Sequence, residues 1–316
     1  MSAALPSIDQ IRDAAARIAP HAYVTPVLRH PALDAMVGAQ LHFKCENLQR
    51  GGAFKFRGAC NAVWSLTEEE ATHGVVTHSS GNHGNALAMA AATRGIAAHV
   101  VVPEGAVRAK LEAIEQAGAI LHRCAPTIAA RETMAAEVQR ATGATLVHPY
   151  ADARVMAGQG TVVLELLRQS PGLDAIITPI GGGGLSAGCA IAAHGIDASL
   201  AMFGAEPAGA DDAAQSLARG TRIDSFVPDT VCDGLRTLIG APNFAALRDH
   251  RVEIITVSDA ETITAMKLLW QSLKLIVEVS SATVFAAVLK QRERFAGRRV
   301  GLVLTGGNVD IDALPW

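Results

Sequence analysis

The apolar positions of this chain follow two alternating rhythms. Short runs rich in Val, Ile and Leu recur at LHFKCEN (41–47), GVVTH (74–78), IAAHVVV (96–102), LDAIITPI (173–180), SLAMFGAE (199–206), VEIITV (252–257) and RVGLVL (299–304). Their length and nearly continuous apolar character predict strands buried on both faces. Between them, apolar residues fall three and four apart. Ile8, Ile11, Ala15 and Ile18, behind the capping box Ser7-x-x-Gln10, predict an opening helix. The segments 107–118 and 126–143 predict two more, Ser258-x-x-Glu261 opens a later one, and a helix through Leu87 and Met89 is expected to stop at Gly95. Strand and helix in alternation predict an α/β fold of parallel sheets covered on both faces. The stretch 71–150 holds a βαβα run of its own. It predicts a small mobile domain set within a larger one built from 1–70 and 151–316, with ligands bound in the cleft between them.

Composition narrows the function. Half of the 316 residues are hydrophobic and only 18% are charged, enough for packed cores and unlike a disordered chain. A net charge of −3 and 4% aromatics exclude a basic or base-stacking nucleic-acid surface. No run approaches the roughly 18 apolar residues of a membrane span, and MSAALPSIDQIRD lacks the features of a signal peptide. Cys45, Cys60, Cys124, Cys189 and Cys232 are scattered, with no C-x-x-C, and read as reduced thiols of a cytoplasmic protein.

Four loops carry candidate chemistry. Gly181-Gly182-Gly183-Gly184 lies between a strand and a helix, where backbone N–H groups and a helix N-terminus form an anion cup suited to a phosphate. Gly182-x-Gly184-x-x-Ala187, with Glu206 some 20 residues on, also fits a relaxed dinucleotide fingerprint, so this loop alone leaves the guest open. Lys55, one of six lysines, stands between Phe54 and Phe56 in GGAFKFRG. Apolar flanks lower an amine's pKa and suit it to act as nucleophile or base. In Ser79-Ser80-Gly81-Asn82-His83-Gly84, small hydroxyls and backbone N–H groups before a helix suit a carboxylate. His83 itself reads as a structural histidine, since no G-x-S-x-G elbow surrounds Ser80 and His78 lies five residues away across a loop. Thr305, in TGGN, offers a hydroxyl that can hydrogen-bond a ring nitrogen without charging it.

Together the loops resemble a fold-type II pyridoxal-phosphate enzyme of the serine/threonine dehydratase and serine racemase group. The resemblance runs from about residue 8 to the end. It rests on KCENLQRGGAFKFRG, THSSGNHG, HPYADARVMAGQGT, PIGGGGL, GAEPAGADD and LTGGNVD, in the family's order. It implies a tryptophan synthase β-like architecture: two three-layer αβα domains with open twisted parallel sheets and pyridoxal 5′-phosphate between them. It makes Lys55 the Schiff-base lysine, Gly181 to Gly184 the phosphate cup, Asn82 the neighbour of the cofactor's 3′-oxygen, Thr305 the ring-nitrogen partner and Phe54 a wall beside the ring. Ser79, Ser80, Gly81 and His83 would hold the substrate carboxylate, with Ser80 exchanging a proton on the face opposite Lys55. Arg131 matches an arginine that reaches anionic ligands. Glu206, the backbone carbonyl of Ala210 and Asp212 match a site for Mg²⁺ or Ca²⁺, hard ions that favour oxygen ligands.

The implied reaction is β-elimination, dehydration and deamination of a small β-hydroxy amino acid such as L-serine or L-threonine to a 2-oxo acid and ammonia. Racemisation on the same site, 3-hydroxyaspartate as substrate, and a non-catalytic ligand-binding regulator are the alternatives. Lys55, Ser80 and Thr305 together speak against the last. The resemblance also implies a homodimer. Departures are specific: Asn85 replaces a usual Gln, Ala117 replaces a Tyr that contacts a nucleotide effector, and Gly51 replaces a Thr of the lysine loop. The effector site is therefore not carried over, although Lys274 and Asn308 remain. Glu278-Val279-Ser280-Ser281 replaces Glu-Pro-Ser/Thr, and the chain ends just past TGGNVD, which leaves no room for a C-terminal regulatory domain.

Overall fold

The computed structural model describes residues 5–316. Ten strands form two sheets. The larger contains β1 (Val27–Leu28), β2 (Gln40–Cys45), β7 (Ala175–Pro179), β8 (Ala201–Pro207), β9 (Glu253–Val257) and β10 (Arg299–Leu304), in the order β1-β2-β10-β7-β8-β9. Only β1 runs antiparallel to its neighbour. The smaller sheet contains β3 (Val75–His78), β4 (Ala98–Pro103), β5 (Ile120–Cys124) and β6 (Thr145–Leu146), all parallel, in the order β5-β4-β3-β6.

Each face of the larger sheet is covered, as a nearly unbroken apolar strand requires. On β7, Ile176 enters one core beside Met156, Leu166 and Ile191, whereas Ala175 and Ile177 enter the other beside Phe285 and Leu269. This alternation is the period-two geometry of a strand. The smaller sheet packs Val75, Val100 and Val102 against Leu87, Ala90 and Ala91 of the helix Asn82–Arg94. The same core takes in Phe56, Ala59, Cys60 and Val63 of the helix Lys55–Trp64, so one helix is shared between the lysine loop and the smaller sheet.

Local signals hold where they were strongest. Ser7 with Gln10 and Ser258 with Glu261 form reciprocal capping boxes, and Gly95 ends its helix in the left-handed region with φ of 71°. All seven strand segments read from the sequence are strands; β1, β5 and β6 were not anticipated. Among the described residues no helix is long and apolar enough to cross a membrane.

Candidate active site

Three candidate loops converge because three strands are neighbours. In the order β2-β10-β7, the loops at the carboxyl ends carry Lys55, Thr305 and the glycine run. Crevices at that end of a parallel sheet are where such folds bind ligands. The lysine and threonine loops are joined directly: Phe54 N–H donates to Thr305 O at 3.0 Å and Ala53 bridges to Gly306. The serine loop follows β3 of the other sheet.

Lys55 begins the helix Lys55–Trp64, and its Nζ donates to Pro149 O at 3.2 Å while lying 5.1 Å from the Phe54 ring centre. A narrow opening reaches the side chain, but protein surrounds the amine on nearly every side. Loss of water drives its pKa down to about 8, against the pull of the Glu278 carboxylate. An amine so placed is partly neutral near physiological pH and is available as a nucleophile or base.

The glycine run is buried and has no room for side chains. A Cβ on Gly182 would overlap the Tyr150 ring, one on Gly184 would lie 2.7 Å from Tyr150 O, and Gly183 sits at φ of 82°. The Asn243 amide donates to Gly182 O and, at 3.0 Å, to Tyr150 O. Helix Gly184–Ile196 starts here with no side-chain cap, leaving its first N–H groups for an anion. A phosphate fits this cradle.

At the far end, Thr305 Oγ1 and Ser281 Oγ lie 2.9 Å apart, and the Ser281 hydroxyl is held by Gly306 O and N–H at 2.9 and 2.7 Å. Both hydroxyls are buried, and this end presents an uncharged pair. Asn82, on the first turn of its helix, donates to Glu278 Oε2 at 3.1 Å and accepts from Asn308 Nδ2 at 2.9 Å. Asn308 is tied in turn to Gly51 O at 2.8 Å. Glu278 is buried, and burial pushes its carboxyl up to about 7 although the Asn82 amide favours the charged form. Ser79, Ser80 and Gly81 are half-buried. His83 is buried; its Nε2 lies 3.4 Å from Val147 O and its Nδ1 has no partner among the described residues. Arg131, on the helix Ile128–Thr142, comes close enough for its charge to be felt at His78 and Tyr150. Its Nε is buried without a partner.

Glu206 and Asp212 lie together at the carboxyl end of β8. Glu206 accepts from Ala213 N–H at 3.1 Å and Ala214 N–H at 2.9 Å. Asp212 Oδ2 accepts from Ile239 N–H at 2.8 Å, while its Oδ1 is buried without a partner. Burial raises both carboxyls, Glu206 well above the usual range and Asp212 to about 6. Two buried carboxyls, one spare oxygen and the buried Ala210 beside them fit a hard cation.

Tyr150, Asn243 and His148 were given no role from the sequence, Asn308 was placed only with the nucleotide-effector residues, and Glu278 only in the stretch that replaces Glu-Pro-Ser/Thr. HPYADAR and Glu278-Val279-Ser280-Ser281 did signal their segments, but nothing local indicates that Tyr150 walls the glycine cup or that Glu278 aims Asn82.

The family described as "Pyridoxal-phosphate dependent enzyme" matches residues 18–306. The chain is 46% identical over 312 residues to the β-hydroxyaspartate dehydratase of Paracoccus denitrificans, covering 99% of each. It is 47% identical to the serine racemase of Arabidopsis thaliana, covering 96% of this chain and 93% of that one. Its fold superposes on the structure of maize serine racemase with a TM-score of 0.95 at 44% identity, over 98% of this chain and 95% of the other.

Proposed function

This chain belongs to the pyridoxal-phosphate-dependent enzymes, of the serine racemase and hydroxyaspartate dehydratase type, and on that premise we propose that it removes water and then ammonia from a small β-hydroxy amino acid. L-Serine and L-threonine are the simplest substrates and a 2-oxo acid is the organic product. The observation that carries this reading is the uncharged Thr305–Ser281 pair, in the loop that the Lys55 segment joins through Phe54 N–H and Thr305 O.

Bound pyridoxal phosphate supplies an electron sink for the pair left at Cα when its proton departs. The residues present divide the remaining work. Gly181 to Gly184 and the first turn of their helix would hold the phosphate. Thr305 would donate its hydroxyl hydrogen to the ring nitrogen of the bound cofactor and leave that nitrogen uncharged, which would limit how far electrons spread into the ring and favour loss of the β-substituent. Phe54 would pack beside the cofactor's ring, and Asn82, aimed by Glu278 and Asn308, would serve its 3′-oxygen. The Lys55 amine takes the Cα proton at its Nζ. Ser79, Ser80, Gly81 and the N–H groups before the Asn82 helix hold the substrate carboxylate, with His83 beneath them, and the 71–150 segment closes over it. Ser80 exchanges a proton on the far face and gives the site its capacity to racemise. Glu206, Asp212 and the Ala210 carbonyl would hold Mg²⁺ or Ca²⁺ and take no part in the proton transfers.

Arg131 favours a second substrate, 3-hydroxyaspartate. A buried guanidinium nitrogen without a partner, close to His78 and Tyr150, suits a distal carboxylate, and a relative carries that activity in its name. The test is a panel of L-serine, L-threonine and the 3-hydroxyaspartate isomers scored by 2-oxo acid and ammonia release, with D-enantiomer formation measured alongside. No 2-oxo acid from any of them would overturn the lyase reading, and D-serine alone would leave a racemase.

A further inference from the structure

His148 is a histidine whose hydrogen has only one place to be. Its Nδ1 accepts from two backbone groups, Tyr150 N–H at 3.3 Å and Ala151 N–H at 3.0 Å. Two donors aimed at one nitrogen leave it unprotonated, so the neutral ring carries its hydrogen on Nε2. Among the described residues Nε2 has no partner, and it is not sealed from solvent. Charge and burial hold the ring neutral: desolvation, His78 and Lys55 all act against protonation, opposed only by Asp152, and bring its pKa to about 4.

The ring also stands in a telling place. The next residue, Pro149, gives its carbonyl to Lys55 Nζ at 3.2 Å. On one side the His78 ring, which leads into Ser79 and Ser80, lies edge-on at 5.2 Å; on the other Tyr150, which walls the phosphate cup, lies edge-on at 4.6 Å. The ring thus stands next to the carbonyl that holds the amine proposed to take the Cα proton, and against the His78 ring that leads into the loop proposed to hold the carboxylate. An amino acid held at both points would carry its β-carbon toward this region.

We propose that the Nε2–H of His148 donates a hydrogen bond to the β-oxygen of the substrate and so selects an oxygen leaving group. This rests on the lyase reading above. The balance is closed by Lys55: its Nζ takes the Cα proton, the Cα electron pair forms the new double bond to Cβ, and the Cβ–O pair leaves with oxygen. Lys55 returns the same proton to that oxygen, and water departs. His148 transfers no proton; its hydrogen bond stabilises the charge growing on oxygen as the bond breaks.

Two substitutions separate this role from a structural one. His148→Asn keeps an acceptor near the Nδ1 position and removes the distal donor; His148→Gln does the reverse. With L-serine, or whichever hydroxy substrate the wild type prefers, His148→Asn should lose roughly 10- to 100-fold in kcat, the scale of one donor to developing charge. His148→Gln should recover part of it. With β-chloro-L-alanine, whose chloride leaves without a proton, both variants should lose far less. Nitrogen NMR of the protein should show a neutral Nε2–H ring from pH 5 to 8. If Asn outperforms Gln, if the chloride substrate suffers equally, or if the ring titrates between pH 6 and 7, the proposal fails. A wild type that releases no 2-oxo acid from any hydroxy amino acid would instead fail the lyase reading.

Discussion

Two buried lysines eleven residues apart separate structural from chemical burial. Lys44 is fully buried at the end of β2, and its ammonium donates to Glu165 at 2.7 Å, to Gln169 at 2.8 Å and to Thr25 O at 2.8 Å. Arg57 completes the group by bridging Glu46 and Glu165 at 2.7 Å each. Two cations thus meet two carboxylates. Lys55, two residues before Arg57 on the same helix, has one carbonyl partner and keeps part of its side chain exposed. Desolvation depresses both amines, but around Lys44 the charges of Glu46 and Glu165 answer it. Burial of a charge therefore does not mark a functional residue; burial with donors left over does.

The comparison breaks most visibly at Lys55 itself. Lys55→Ala should abolish turnover and the visible absorbance of lysine-bound cofactor while leaving the fold near wild-type stability. Lys44→Ala should keep the absorbance and lose about 3–5 kcal/mol of unfolding free energy, because it strands a buried carboxylate. Borohydride reduction that placed the cofactor on Lys44 would reverse the assignment.

Ser80→Ala sharpens the chemical side. Removing a proton-exchanging hydroxyl should cost roughly 10²–10⁴-fold in D-enantiomer formation, with elimination from the L-substrate surviving better. Equal losses in both would mean that Ser80 serves binding alone.

Glu278 tests the other incompletely paired group. Its carboxyl is raised to about 7, so the folded chain keeps a proton that the unfolded chain has released above its ordinary pKa of 4.5. The associated stability is present at pH 4 and lost as pH rises through 7. Glu278→Gln should flatten that decline by no more than about 3 kcal/mol, read as unfolding free energy at pH 4.5 and 8. Parallel wild-type and variant curves would show that Glu278 is not the group responsible.

The smallest effect belongs to the acidic pair. Mg²⁺ or Ca²⁺ at a hundredfold excess over its Kd should add about 2.7 kcal/mol, and Glu206→Gln with Asp212→Asn should erase the response to chelator. Wild type that melts identically with and without chelator would leave the pair a self-contained buried acid.

Much of the molecule was legible locally. The seven strands read from the sequence are, with one exception, interior to their sheets and carry largely apolar runs; the exception is β9, an edge strand whose VEIITV is still apolar enough. The three not read are edges too: β1 and β6 have two residues each, and β5, ILHRC, mixes His and Arg into a half-exposed strand. An edge strand has one neighbour and no need of a continuous apolar signature. Lys55, the glycine run and Thr305 were visible because glycine and flanking aromatics are local signals. Tyr150, Asn243 and His148 were not, since each acts across a contact with a distant segment.

By itself, the sequence determined what is decided within a few residues: the capping boxes at Ser7 and Ser258, the left-handed stop at Gly95, the buried strands, and a glycine loop that only an anion would fill. The tertiary structure alone decided that Lys44 is saturated and Lys55 is not, for their partners Glu165, Gln169 and Pro149 lie roughly a hundred residues away. It also decided that residues near 55, 181 and 305 come to the same end of the larger sheet, after the neighbouring strands β2, β7 and β10. The physical reason is pairing between strands: Leu302 stands opposite Phe43 on one side and Ile177 on the other, and no local pattern specifies which buried strand will lie beside which.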